Sequence, residues 1–166
     1  LVYFMGRKQA VNRYFAIYNA AIFFWNSGDF VSPLLSELPQ AALFYARMAQ
    51  VGGIMVAPLL IVFIHLLTGK TIAEVFKYKI PRVTLWVSVL LLLLVPTPLY
   101  IESISLSPYK EIPGSLFGLL ILFFVSSIIY GLIQLIRARN RAVSFIIRNQ
   151  LGYFSFALVA GIICAL

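Results

Sequence analysis

Residues 41–68 read AALFYARMAQVGGIMVAPLLIVFIHLLT, a stretch with one formally charged residue, Arg47. A surface helix of a soluble protein carries an apolar stripe and a polar face, whereas this stretch is apolar on every face. About 20 residues cross the hydrocarbon of a bilayer, so the stretch is long enough to span it while tilted or extended beyond it. Gly69 and Lys70 close it as a helix C-terminus, a small residue followed by a cation. Four further apolar runs flank it. Residues 14–31 lie upstream, interrupted by Trp25-Asn26-Ser27-Gly28-Asp29 and stopped by Pro33; residues 83–101, 114–136 and 145–166 lie downstream. The runs are continuous rather than alternating, so strands are not expected. The expected fold is an all-α integral membrane protein, a polytopic helical bundle with five complete spans in a single domain, residues 1–166. Leu1–Met5 is read as the tail of a preceding span.

Composition agrees. Hydrophobic residues make up 62% of the chain and charged residues 11%, against about a quarter charged in soluble domains. The formal charge of +8 could suit nucleic acid, anionic lipid or membrane topology. Nucleic-acid modules gather cations on one exposed face with aromatic platforms. Here the cations fall in short clusters between apolar runs. Arg7, Lys8 and Arg13 precede the first complete span; Lys70, Lys77, Lys79 and Arg82 follow the second; Arg137, Arg139, Arg141 and Arg148 follow the fourth. The intervening loops hold Glu37 with Asp29 beside it, and Glu102, Lys110 and Glu111. Eleven of thirteen cations thus lie in alternate loops, the positive-inside pattern. It places loops 6–13, 69–82 and 137–148 in the cytoplasm of a multi-pass cell-membrane protein. The chain begins without Met and ends in an apolar run. Restoring one helix at each end would give seven spans, N-terminus out and C-terminus in.

Ionisable groups at membrane depth are costly and are the first functional candidates. Arg47 and Asp29 sit at the outer ends of successive helices, where an ion pair would reduce the cost of both. Two readings stand: a structural clamp, or an outward-facing ligand pocket of Asn26, Asp29, Arg47 and Gln50, with Glu37 near it. His65, the only histidine, has no carboxylate or cysteine nearby in sequence and is read as a hydrogen bond to a neighbouring helix, not a metal ligand. Gly52-Gly53 and Ala57-Pro58 suit close helix packing, with a hinge as the functional alternative. The single cysteine, Cys164, forms no intrachain disulfide and is read as a small hydrophobe. No phosphate loop, nucleophile elbow or zinc-protease motif is found, so neither enzyme activity nor a cofactor is expected.

Several segments together resemble the seven-helix N-terminal sensor region of bacterial histidine kinases. They are Arg13-Tyr14-Phe15, Trp25-Asn26-Ser27-Gly28 and Leu43-Phe44-Tyr45-Ala46-Arg47-Met48, then Pro58 to Phe63 followed by Thr68-Gly69, and Asn149-Gln150-Leu151. The likeness covers nearly the whole chain, with the first helix nearly absent and the seventh wholly so. It implies a sensory input module of a two-component system that relays an external or membrane cue to a cytoplasmic kinase or similar output domain. The phosphoacceptor histidine of such proteins lies beyond the seventh helix, so His65 is not that residue. Expected partners are the lipid bilayer, a cytoplasmic signalling domain in cis and an unidentified small ligand, with a homodimer left open and no nucleic acid. A small transporter or channel subunit, or a structural subunit of a membrane complex, are the competing functions.

Overall fold

The computed structural model describes residues 10–35, 37–106 and 109–165, apart from the side chains of residues 106 and 161–165. The expected tail at Leu1–Met5 and the side chain of Cys164 lie outside the described residues.

The chain opens with α1, Ala10–Leu34. It runs without a break through the polar interruption at residues 25–29. Ser27 turns its hydroxyl back onto the Phe23 carbonyl at 2.7 Å, so a polar residue here does not end the helix. Pro33 lies inside the last turn rather than beyond it. Helix α2, Pro39–Leu67, starts on a proline, whose lost N–H would have no helical partner there. It ends in a Schellman motif: Gly69 takes φ +88°, the Gly69 amide donates to Leu66 and the Lys70 amide to His65. A single turn follows, α3, Ile72–Val75, held by a reciprocal capping box between Thr71 and Glu74. Helix α4 covers Lys79–Leu94. Its Thr84 and Ser88 bond to carbonyls four residues back at 2.9 and 2.8 Å. With those hydroxyls satisfied, Thr84, Ser88 and Leu91 form a buried stripe. After the hairpin described next come α5, Phe117–Arg141, and α6, Phe145–Ala165.

Two expectations are corrected. The apolar run read as a span to Ile101 stops being helical at Leu94. Strands, not expected, form an antiparallel hairpin of β1, Ile101–Leu106, and β2, Tyr109–Pro113, with an irregular register between Ile101 and Ser103. Pro96 and Pro98 cannot continue the helix ladder. Ile104-Ser105-Leu106 then alternates as a two-sided strand does, and a paired strand satisfies backbone groups that a bare loop would leave to water.

Helix α2 is the axis of the fold, touching α1, α3, α4, α5 and β1, while α6 packs on α5. Every residue from Val56 to Leu66 is buried. Gly52 lets α1 approach so closely that an added Cβ would lie 2.6 Å from the Trp25 nitrogen and 2.7 Å from the Ala21 carbonyl. Gly28 offers the reciprocal contact to Ala49. Beside them Trp25 packs edge-on to Phe124 at 5.5 Å, tying α1 to α5. The outer surface is apolar: Phe23, Phe30, Trp86, Leu93, Leu122 and Phe156 are each at least 60% exposed. The five long helices fall on the five apolar runs. Among the described residues, two of them, α2 and α5, are long and apolar enough to cross a membrane.

The glycine contacts order a mutation series. Among Gly52, Gly53 and Gly131, Gly52→Ala is expected to cost most, about 1–3 kcal/mol, because the atoms in its way are backbone. Gly131→Ala meets side-chain atoms of Ile64 and Leu60 rather than backbone, and Gly53→Ala meets the Trp25 ring at 3.4 Å, so both should cost less. Denaturation midpoints in detergent check the ranking; equal midpoints for all three would refute the backbone-contact account.

Candidate functional site

Arg47 stands about two turns into α2. It does not reach for a carboxylate. Nε and Nη2 both donate to the Ile101 carbonyl at 3.2 and 3.0 Å, and Nη1 donates to the Pro96 carbonyl at 3.0 Å. Three charge-assisted bonds from one planar group thus hold both ends of the segment between α4 and β1. The expected Asp29–Arg47 pair is replaced by this clamp, since the guanidinium takes the Pro96 and Ile101 carbonyls, which lie beyond the end of α4.

The other polar groups at this end converge on β2. Ser32 in α1 is fully buried and donates to the Ala42 carbonyl at 2.7 Å. The Tyr109 hydroxyl lies 2.5 Å from Ser32 Oγ and 3.2 Å from Glu111 Oε1. Tyr109 has one proton for two oxygens. Ser32 spends its own on Ala42, and Tyr109 spends its own on Glu111 Oε1. Tyr109 thus links Ser32 of α1 to the Glu111 carboxyl within the hairpin. Burial pushes the Glu111 carboxyl above its ordinary value, and the charge of Asp29 pushes the same way, against the Tyr109 bond. Burial likewise raises the Tyr109 phenol.

The structure therefore brings Asp29 toward Glu111 and Tyr109, and Arg47 onto the root of the hairpin. Asn26 is exposed and Gln50 buried; neither has a side-chain hydrogen bond among the described residues. Glu37 is exposed in the α1–α2 connection. Ser32, Tyr109, Glu111 and the Pro96 and Ile101 carbonyls were not anticipated as partners. The alternation in β1 was their one sequence signal. Among the described residues no cluster of three metal-ligating side chains occurs.

At the opposite end of α2, His65 is almost fully buried and bonds through Nε2 to the Tyr130 hydroxyl of α5 at 3.0 Å. This is the interhelical hydrogen bond expected of it. Tyr78 stacks on its ring at 5.5 Å between centroids.

Comparison with known proteins yields one family. The model of the N-terminal 7TM region of histidine kinase matches residues 1–166. No curated protein and no solved structure matches.

The Ser32–Tyr109–Glu111 row sets a pH dependence. Glu111 holds its proton more tightly folded than unfolded, so its contribution to stability is complete below its ordinary value of 4.5 and is lost as pH rises through the raised folded value. Glu111→Gln, which carries no charge to bury or to face Asp29, is expected to melt above the wild type near pH 7. The gap between the two should close toward about pH 4. Melting midpoints across that range test this; a gap that widens on acidification would refute it.

Proposed function

The chain belongs to the family of N-terminal 7TM regions of histidine kinases, and from that premise we propose that it is the sensory input module of such a kinase. In this reading α1, α2, α4, α5 and α6 each cross the membrane and account for five of the seven crossings in the family's name. The basic segments 6–13, 69–82 and 137–148 face the cytoplasm and the hairpin Ile101–Pro113 faces out. Support comes from the charges: the Arg47–hairpin end carries Asp29, Glu37, Glu102 and Glu111, whereas the other carries Lys70, Lys77, Lys79, Arg82 and the arginines of α5.

The proposed receiving element is the hairpin with Asn26, Asp29, Arg47 and Gln50 around its root. A small ligand or the state of the bilayer favours one docking of the hairpin on α2. That preference shifts helix packing, and through it a cytoplasmic signalling domain in cis. The observation that carries this assignment is the Arg47 clamp, which couples the hairpin to the central helix. A channel or transporter would instead want a polar route along α2, and from Val51 to Ile64 that helix carries no polar side chain.

Autophosphorylation of the full-length protein in vesicles tests the proposal. Arg47→Ala is expected to change the basal rate about threefold or more, since three charge-assisted bonds are lost. Lys110→Ala, exposed on β2, should leave it unchanged. If the two variants behave alike, the hairpin is not the receiving element. Orientation is checked separately with single cysteines in a Cys164→Ser background. Lys110→Cys should label from outside and Lys77→Cys only after permeabilisation; the reverse would overturn the topology.

A further inference from the structure

The basic end of the molecule holds a cavity of about 650 Å³ between the C-termini of α2 and α5 and the start of α6, within the usual ligand-pocket range of roughly 300–1,000 Å³. Lys70, Arg137 and Arg141 line it, together with His65, Tyr130 and Gln134. No acid offsets these cations within α5 or α6, because the chain has no Asp or Glu after Glu111. Glu74, the one acid among residues 69–82, already receives the amide and hydroxyl of Thr71 at 2.7 and 3.0 Å.

Helix dipoles do not absorb the excess charge. Two helix C-termini supply about −0.5 each and the α6 N-terminus about +0.5, against three full positive charges. A surplus of about 2.5 positive charges remains, lessened by Glu74, whose carboxylate acts on Lys70, and it is the complement of a phosphate group.

The polar wall is also prearranged. Lys70 Nζ lies 3.2 Å from His65 Nδ1 and 4.0 Å above the Tyr78 ring. An ammonium only donates, so Nδ1 must accept and the imidazole must carry its proton on Nε2. That proton serves Tyr130, 3.0 Å away, and leaves the Tyr130 hydroxyl proton and the remaining Lys70 protons available to the cavity. His65 is 2% exposed, so this arrangement is fixed by packing rather than by solvent. Beside the cavity, Val143, Phe145 and Ile146 present exposed apolar side chains, a surface for acyl chains next to a site for their headgroup.

We propose that the cavity lined by Lys70, Tyr130, Arg137 and Arg141 is a phosphate-binding site whose ligand is the headgroup of an anionic phospholipid in the leaflet at the basic end. The proposal rests on the helices spanning a bilayer and not on the sensory reading.

Native mass spectrometry of the delipidated full-length protein in neutral detergent tests it, with phosphatidylglycerol, phosphatidylethanolamine or inorganic phosphate added. The wild type is expected to retain phosphatidylglycerol over phosphatidylethanolamine. Arg137→Gln/Arg141→Gln should weaken retention roughly 30-fold. Lys77→Gln/Arg82→Gln, which removes the same charge outside the cavity lining, should stay within about twofold. Tyr130→Phe removes a single hydroxyl and should weaken retention about tenfold even if the double variant does not fold. Indifference to excess inorganic phosphate identifies the lipid as the source. Displacement by phosphate, with a phosphate-dependent rise in melting midpoint lost in the cavity variants, identifies the same site as serving free phosphate. Equal losses in the two double variants, or equal retention of both lipids, would overturn the site. Either result leaves autophosphorylation control by Arg47 to stand or fall on its own measurement.

Discussion

The contact between Gly52 and the α1 backbone at Ala21 and Trp25 is the constraint on which the rest of the structure depends. Helices in an apolar solvent gain nothing by hiding apolar side chains from it, so close van der Waals packing has to hold them together. Small residues allow that approach, and α2 supplies Ala42, Ala46, Ala49, Gly52 and Gly53, all buried. Once α1 lies against this face, the Trp25 ring reaches Phe124, and α5 is positioned by a residue of α1 as much as by α2. On the face toward α4, Ile54 clusters with Leu91, Val95, Tyr100 and Leu120. Enclosed in this way, α2 carries the shared core of the molecule.

The helices were legible for the same reason. Continuous apolar runs of about 20 residues have few alternatives when backbone polar groups must be satisfied internally. The boundaries and polar partners were harder. Residues 25–29 resemble a break, yet Ser27 satisfies itself within the helix, a local bond that composition cannot distinguish from a turn. The hairpin was hidden because Leu99, Tyr100 and Ile101 prolong the apolar run of α4 beyond Pro96 and Pro98. Hydropathy registers apolar character there and not the missing proline donors. Arg47 and Asp29 were legible as costly groups, and opposite charges on neighbouring helices invite pairing. That Arg47 takes carbonyls instead depends on Pro96 and Ile101 lying beside α2, a fact of tertiary structure. His65 was read correctly because its sequence neighbours left a hydrogen bond as the simplest use.

The two polar clusters occupy opposite ends of one helix. From Arg47 to His65 is 18 residues, about 27 Å of helical rise. Between them only Pro58 interrupts the ladder, leaving the Ile54 carbonyl without its usual donor. Residues 56–66 are enclosed on all sides, and close-packed interiors transmit displacement rather than absorb it.

Motion along this axis is accordingly constrained in kind. Local unwinding near Pro58 would uncover backbone groups where neither water nor a side-chain donor is at hand, at a cost of several kcal/mol per group. Translation or rotation of α2 as a body breaks no ladder bond and changes only which side chains meet at its ends. At one end those are Arg47 and the hairpin root. At the other they are His65, Tyr130 and the cations of Lys70 and Arg137. A shift of about an ångström is enough to lengthen a 3.0 Å hydrogen bond beyond useful geometry. Small motions of a rigid α2 are therefore registered at both ends.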